Sequence, residues 1–154
     1  MFTAYDSDIK FYAERANIDP ILVTAVVLTE SNGKAHAYRY EDGYYHAYIE
    51  HNTKYKDMSK DRISASYGLM QIMFLTAVDY GFPIHSAPEE LFLPATNLIY
   101  GCKILRSLLT WAGGDVNKAL CAYNGGRGAT AREPYPNQAY ADKVLVHVAN
   151  QSRR

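Results

Sequence analysis

The stretch from Asp19 to Ser31, with the sequence DPILVTAVVLTES, constrains the fold more than any other part of the chain. An Asp followed by a Pro is typical of a helix start, where Asp caps the first turn and Pro takes the first helical position. The residues that follow are apolar on nearly every side of such a helix, which predicts a helix inside the core rather than on its surface. Asn32 and Gly33 then favour a left-handed helix end.

A single acidic residue, Glu30, lies at the C-terminal end of this apolar helix. Burial disfavours the charged form of a carboxyl group, and the negative end of the helix dipole acts in the same direction. Both effects raise the pKa, and a carboxyl group that stays protonated near neutral pH is what a general acid requires. A lone Glu at a helix end more often extends into water, so the assignment depends on the rest of the chain.

Length and charge limit the classes of protein that fit. The 154 residues suit one domain, 1–154, with one core, and the 16 basic and 16 acidic residues give a formal net charge of zero. A neutral chain argues against a nucleic-acid partner. No apolar run is long enough to span a membrane, and the N-terminal sequence MFTAYDSDIK lacks the features of a signal peptide. We expect a monomer.

The hydrophobic pattern predicts a mainly α fold, because no segment alternates like a strand for long. Cys102 and Cys121 fall on apolar helical patterns and are expected to be buried thiols rather than a disulfide. Besides the central helix, helices are expected at residues 7–17 (capped by Asp6 or Ser7), 41–55, 69–80, 94–111, 116–123 (capped by Asp115) and 137–149.

Residues 34–62 break the helical pattern and are rich in tyrosine. We expect this tyrosine-rich insert to lie over the core as one wall of a cleft, the alternative being a solvated loop. His46 and His51 in the insert are not one helical turn apart, unlike most zinc-binding pairs on helices, so neither a metal site nor a cofactor is expected. The tyrosines concerned are Tyr38, Tyr40, Tyr44, Tyr45, Tyr48 and Tyr55.

Four motifs follow one another along the chain. Glu30-Ser31 ends the apolar helix, and GLMQIM occupies residues 68–73, followed by Thr76-Ala77 and Gly81. The next positions are Leu91, Pro94, Asn97, Gly101 and Leu105, and ALCAYNGG occupies residues 119–126. In this order and spacing they resemble the catalytic domain of the soluble lytic transglycosylases, which is related to goose-type lysozyme within the lysozyme-like superfamily. The resemblance covers roughly residues 5–148.

The resemblance implies a lysozyme-like fold and a peptidoglycan substrate. The bond cleaved would be the β-1,4 bond between N-acetylmuramic acid and N-acetylglucosamine, with Glu30 as the single acid and base. After protonating the glycosidic oxygen, Glu30 would take a proton from the muramic acid 6-hydroxyl, which closes a 1,6-anhydro ring. The substrate's N-acetyl group would stabilise the intermediate, so this scheme lacks the second carboxylate of most glycosidases.

The resemblance assigns further site residues, because they match residues of the family's motifs. Gln71 and Met73 match residues that line the cleft, where an amide bonds an acetamido group. Tyr123 and Asn124 match the AYN element, and the Tyr123 hydroxyl is expected to orient the carboxyl group of Glu30. Tyr140 lies near the position of a tyrosine in the last helix of the family's domain, although the surrounding sequence QAYADKVL departs from the family pattern.

Two further site residues lie outside these motifs. A serine expected shortly before GLMQ is Ser64 or Ser66, which spacing does not decide, and Ser66 is our choice for substrate binding. From the insert, Tyr45 is expected to contact the glycan. The chain departs from the family pattern in its long connection from residue 30 to 68, in Phe74 where Pro is common, and in Cys121 where Ala is usual.

Two alternatives stay open. A goose-type muramidase of the same fold would use water in place of the 6-hydroxyl, with a carboxylate of the insert positioning it: Glu41, Asp42, Glu50, Asp57 or Asp61. The second alternative is a non-catalytic glycan-binding or virion structural module, although such a protein has little use for a buried acid. A single catalytic domain that starts at Met suits a phage lysis enzyme or virion-borne lysin that acts on the cell wall, or a trimmed bacterial enzyme.

Overall fold

The structure is a computed structural model that describes residues 1–55 and 57–153. It is mainly helical, with a small sheet on one side. The helices are α1 (Asp6–Arg15), α2 (Pro20–Ser31), α3 (Asp42–Tyr44, continued by a π-helix over Tyr45–Ile49), α4 (Lys60–Ile63), α5 (Phe74–Asp79), α6 (Pro94–Trp111), α7 (Val116–Gly125) and α8 (Gln138–Gln151). Short 3-10 helices cover Thr53–Tyr55, Pro88–Phe92 and Arg127–Thr130.

The central helix α2 is confirmed as predicted. The side chain of Asp19 accepts a hydrogen bond from the backbone N–H of Ile21, and Asn32 ends the helix in the left-handed conformation at a φ of 53°. Every residue from Leu22 to Val27 is buried. Helix α2 packs between α1 and α8, and α6 and α7 complete the helical layer around it. This packing places the C-terminal end of α2 between α8 and the small sheet.

Helices α6 and α7 also follow the prediction, and α6 spans the residues expected. Asp115 caps α7 by accepting a hydrogen bond from the backbone N–H of Lys118. The start of α1 differs from the prediction. Asp6 is a first-turn residue that accepts hydrogen bonds from the backbone N–H groups of Phe2 and Thr3, so it fastens the N-terminal segment instead of capping the helix.

The sequence did not predict the antiparallel sheet of β1 (Tyr38–Tyr40), β2 (Ala65–Tyr67) and β3 (Ile72–Met73). Residue pairs across it include Arg39 with Ser66 and Ser66 with Met73. The helix expected over residues 69–80 is limited to α5. Residues 68–71 form a tight turn instead, because Gly68 and Gln71 adopt positive φ values of 75° and 50°. Two left-handed residues in four cannot belong to an α-helix.

The tyrosine-rich insert is partly packed on the core. Its helical segments, α3 with the π-helix and the 3-10 turn, fall within the predicted helix 41–55, and Ile49 anchors them with only 5% of its surface exposed. Tyr44, Tyr45 and Tyr55 pack partly buried against the core, whereas Tyr48 is 68% exposed. The described residues of the insert are therefore partly packed on the core and do not form a solvated loop.

Cys102 and Cys121 are buried free thiols, as predicted. Burial raises the pKa of the Cys102 thiol to about 12, so it stays protonated and unreactive at neutral pH. In the part of the chain that the structure describes, no helix combines the length and the apolar character needed to cross a lipid bilayer.

Candidate active site

A cleft of about 900 Å³ opens at the C-terminal end of α2. The sheet and the insert form one side, and α7, the segment after it, and α8 form the other. Of the predicted site residues, seven line this cleft: Glu30, Ser66, Gln71, Met73, Tyr123, Asn124 and Tyr140. Residues that we did not assign to the site also line it, among them Arg39, Tyr80, Arg127 and Lys143.

Glu30 lies half-buried in the cleft wall, and its carboxylate Oε2 accepts a hydrogen bond of 2.9 Å from the Tyr140 hydroxyl. Burial raises the pKa of Glu30 to about 7, although the hydrogen bond from Tyr140 and the charge of Arg39 act in the opposite direction. The nearby Glu41 adds to the rise. Near neutral pH the group is therefore divided between its acid and base forms, as a proton-transfer catalyst requires.

The Tyr123 hydroxyl does not orient Glu30, and this prediction was wrong. It donates instead to the backbone carbonyl of Met70, at 2.6 Å. Tyr123 thus holds the 68–71 turn while part of its surface lines the cleft. The contact with Glu30 is made by Tyr140, because α8 packs directly along α2.

Asn97 of α6 holds the 68–71 turn in place by hydrogen bonds. Its side chain is fully buried and accepts from the backbone N–H of Met70 while donating to the carbonyls of Tyr67 and Leu91, all within 2.8 Å. At Gly101, one turn further along α6, an added side chain would collide with Met70. These contacts explain why the motif residues Asn97 and Gly101 accompany GLMQ in the sequence.

Ser31 links the same turn to the end of α2. Its hydroxyl lies 3.1 Å from the carbonyl oxygen of Val27 and 2.8 Å from that of Leu69, and its single proton is shared between these two acceptors. Ser31 therefore satisfies backbone carbonyl groups at the end of α2 and in the turn. The link also fixes the end of α2, and with it Glu30, relative to the turn.

The amide of Gln71 is held in place by the backbone. Its Nε2 donates to the carbonyls of Ala37 and Gly68, at 3.1 and 3.0 Å. Both amide protons are thereby used, which leaves the side-chain carbonyl oxygen as the group able to accept a hydrogen bond from a ligand. Met73 is half-buried and lines the cleft beside it, so it is not simply a core residue.

A second carboxylate, that of Glu41, also lines the cleft. Its Oε1 accepts a hydrogen bond of 3.2 Å from the Ser66 hydroxyl and lies 3.4 Å from the Arg39 guanidinium. Between the two candidate serines, Ser66 reaches the cleft, whereas Ser64 is fully buried and is not among the lining residues. No sequence motif indicated Arg39, because its placement depends on the pairing of two strands that are each three residues long.

Tyr45, which we expected at the glycan, is not among the residues that line the cleft. The ammonium group of Lys60 lies 4.6 Å from its ring centroid. Tyr44 and Tyr48 line the cleft instead, with their ring centroids 5.1 Å apart. Tyr44 and Tyr48 are four residues apart and therefore share a helix face, whereas Tyr45, which follows Tyr44 directly, lies on a different face. On the opposite wall, the exposed Asn124 accepts a hydrogen bond of 3.0 Å from Asn137.

Similar folds occur in solved structures of lytic transglycosylases. An inactive mutant of the lytic transglycosylase Slt from Pseudomonas aeruginosa is 18% identical, with a TM-score of 0.71 over 97% of this chain and 24% of that chain. The 70-kDa soluble lytic transglycosylase from Escherichia coli is 21% identical, with a TM-score of 0.71 over 95% of this chain and 24% of its own. A complex of the 70-kDa soluble lytic transglycosylase with bulgecin A is 21% identical, with a TM-score of 0.70 over 97% of this chain and 24% of that chain.

This chain thus spans about a quarter of the length of those proteins, and at these identities the similarity shows a shared fold. The family assignment comes from a different comparison. The model of the family described as "Transglycosylase SLT domain" matches residues 7–146, which is most of the chain. The chain therefore belongs to the transglycosylase SLT domain family.

Proposed function

We propose that the protein is a peptidoglycan lytic transglycosylase. It cleaves the β-1,4 bond between N-acetylmuramic acid and N-acetylglucosamine and leaves a 1,6-anhydro end on the muramic acid. The observation that carries the proposal is the half-buried Glu30, with a pKa of about 7, in a cleft of about 900 Å³. Membership of the SLT family and the fold shared with named lytic transglycosylases support it.

Glu30 would act twice in the reaction. Its protonated carboxyl group donates a proton to the glycosidic oxygen as that oxygen leaves the anomeric carbon. The resulting carboxylate then accepts the proton of the muramic acid 6-hydroxyl, whose oxygen forms the new bond to the anomeric carbon. Glu30 ends the cycle protonated and no water is consumed.

Tyr140 would stabilise the carboxylate between these two steps. A hydrogen bond from a hydroxyl group to an ionised carboxylate is stronger than one to a neutral carboxyl group. The 2.9 Å contact from Tyr140 to Glu30 therefore favours the state that exists after the first proton transfer. The free carbonyl oxygen of Gln71 would accept a hydrogen bond from an acetamido N–H of the substrate, and Ser66, Met73 and Asn124 would line the subsites.

The proposal is tested by the release of dye from labelled, purified peptidoglycan. Glu30→Gln should lower the rate by at least about 100-fold, since general acid catalysis typically contributes that much. Glu14→Gln is the matched control, because this exposed carboxylate on α1 lies outside the cleft and should leave the rate unchanged. Substantial activity in Glu30→Gln would refute the assignment.

A hydrolase of the goose type is the second candidate, and the position of Glu41 favours it. Held by Ser66 and Arg39 in the same cleft as Glu30, this carboxylate is placed where a base for an attacking water could act. If the enzyme is a transglycosylase, Glu41→Gln keeps a large part of the activity and yields anhydro ends. If the enzyme is a hydrolase, the same substitution abolishes cleavage.

Action at the cell wall follows from the proposed substrate. Its source remains a prediction, namely a phage lysis enzyme or virion-borne lysin, or else a trimmed bacterial enzyme. A monomer with one catalytic domain remains our prediction for its organisation. Glycan binding without cleavage is the outcome expected of a non-catalytic module.

A further inference from the structure

The charged groups that line the cleft do not cancel. Among the described residues, five charged side chains contribute to its lining: Glu30, Glu41, Arg39, Arg127 and Lys143. Arg39 is paired with Glu41 at 3.4 Å, and Glu30 is uncharged in its acid form. Two positive charges, those of Arg127 and Lys143, are left over in a cleft that would bind uncharged sugar rings.

Neither cation has an ionic partner among the residues that the structure describes. Within residues 1–55 and 57–153, no carboxylate lies at ion-pair distance from Arg127 or Lys143. The nearest acidic neighbour in sequence, Asp142, accepts a hydrogen bond of 2.9 Å from Gln138 and does not line the cleft. Both cations are exposed, so they are available to a ligand.

Arg127 is held at the cleft by an aromatic ring. Its guanidinium carbon lies 5.2 Å from the ring centroid of Trp111, and the ammonium group of Lys118 lies 4.9 Å from the same centroid. A guanidinium held against an aromatic ring keeps its N–H donors free to bind a carboxylate in a two-pronged fashion. Lys118 adds a further positive charge at the same ring.

Lys143 lies on the same wall of the cleft. It follows Tyr140 by one turn of α8, and residues three apart on a helix are neighbours. Tyr140 itself contacts Glu30, so Lys143 lies on the helix that holds the proposed acid. Arg127 and Lys143, which both line the cleft, are called the positive edge.

We infer that this edge binds carboxylate groups of the substrate. The inference rests on the proposed function, since muramic acid differs from N-acetylglucosamine by a lactyl group that ends in a carboxylate or in a peptide bearing carboxylates. The edge selects strands that contain muramic acid over neutral chitin-type oligosaccharides. It also orients the muramic acid so that its lactyl side faces α7 and α8.

The test measures binding by isothermal titration calorimetry in the Glu30→Gln background, which prevents turnover. Three ligands are compared: neutral chito-oligosaccharides, glycan strands stripped of peptides, and strands with intact peptides. Arg127→Gln and Lys143→Gln remove one charge each. Lys103→Gln is the matched control, because Lys103 is an exposed cation whose ammonium group lies 5.0 Å from the ring centroid of Tyr100, outside the cleft lining.

Each single substitution should weaken binding of a carboxylate-bearing strand by about two- to fivefold at low salt, the range of an exposed ion pair. The double variant should lose about tenfold, and high salt should reduce these losses because it screens exposed charges. The ratio of affinities for charged and neutral ligands should therefore fall, and Arg127→Lys, which keeps the charge but not the two-pronged geometry, should restore only part of it.

The ligands identify the source of the carboxylate. A loss confined to stripped strands assigns the edge to the lactyl carboxylate, and a loss confined to intact strands assigns it to the peptide; either supports the inference. Equal losses for neutral and charged ligands, no loss at all, or the same loss in Lys103→Gln would overturn it.

The two proposals fail separately. A wild-type protein that binds in this charge-dependent manner but does not cleave would refute the transglycosylase activity alone. Cleavage of peptidoglycan by variants that bind like the wild type would refute the carboxylate edge alone.

Discussion

The pKa of Glu30 makes the stability of the fold depend on pH in a way that one substitution can expose. Burial raises this pKa from an ordinary 4.5 to about 7. Between these two values the folded protein holds a proton that the unfolded chain releases. The free energy of unfolding therefore falls as the pH rises from 4.5 to about 7, and the stability contributed by the protonated group is lost above that range.

The size of this effect follows from the pKa. A tenfold change in proton affinity is worth about 1.4 kcal/mol, so the rise from 4.5 to about 7 corresponds to about 3 kcal/mol of destabilisation once Glu30 is ionised. Gln has nearly the same shape, cannot ionise, and can still accept the hydrogen bond from Tyr140. Glu30→Gln should therefore match the wild type below about pH 4.5 and exceed its stability by about 3 kcal/mol above about pH 8.

Urea denaturation of the two proteins across this pH range measures the difference directly. The exposed Glu14 supplies the control, since Glu14→Gln should give no comparable gain at alkaline pH. If Glu30→Gln gains no stability above pH 7, the carboxyl group is not desolvated and its raised pKa, on which the acid role depends, is wrong.

Three further predictions concern the walls of the cleft. Tyr140→Phe removes the hydrogen bond that lowers the pKa of Glu30, so the alkaline limb of the pH–rate profile should move to higher pH while kcat falls; an unmoved limb would contradict this role. Tyr48→Ala should reduce activity on long glycan strands more than on short ones, with a stability change within about 0.5 kcal/mol, whereas Tyr45→Ala should not distinguish the two substrates. Gly101→Ala should lower the free energy of unfolding by about 1–3 kcal/mol, because the added methyl group collides with Met70. The thermal unfolding midpoint should therefore fall, and an unchanged midpoint would refute that packing.

The sequence predicted the long helices and the catalytic candidate because these depend on local signals. Asp19 marks the start of α2, the apolar run identifies it as buried, and Glu30 ends it. Helix α6 was equally clear from its apolar spacing and its initial Pro94. Burial of the Glu30 carboxyl group did not follow from this pattern alone, and it became the expectation only together with the motifs further along the chain.

Other features depend on contacts between distant segments, which the pattern does not contain. Strands of two or three residues are too short to show alternation, so the sheet that brings Arg39 to the cleft was missed. The left-handed Gln71 broke a helix that apolar spacing favoured. The direction of a hydroxyl group depends on how two helices pack, and for this reason Tyr140, rather than Tyr123, contacts Glu30.

The central claim, transglycosylation by Glu30, is tested most directly by the chemistry of the new chain ends. Purified peptidoglycan is digested by the wild-type protein in water enriched in heavy oxygen, and the soluble products are analysed by mass spectrometry. We predict muramic acid ends in the 1,6-anhydro form without the heavy isotope, because the 6-hydroxyl of the sugar is the attacking group. Reducing ends that are heavier by one labelled water would contradict the claim and identify a hydrolase.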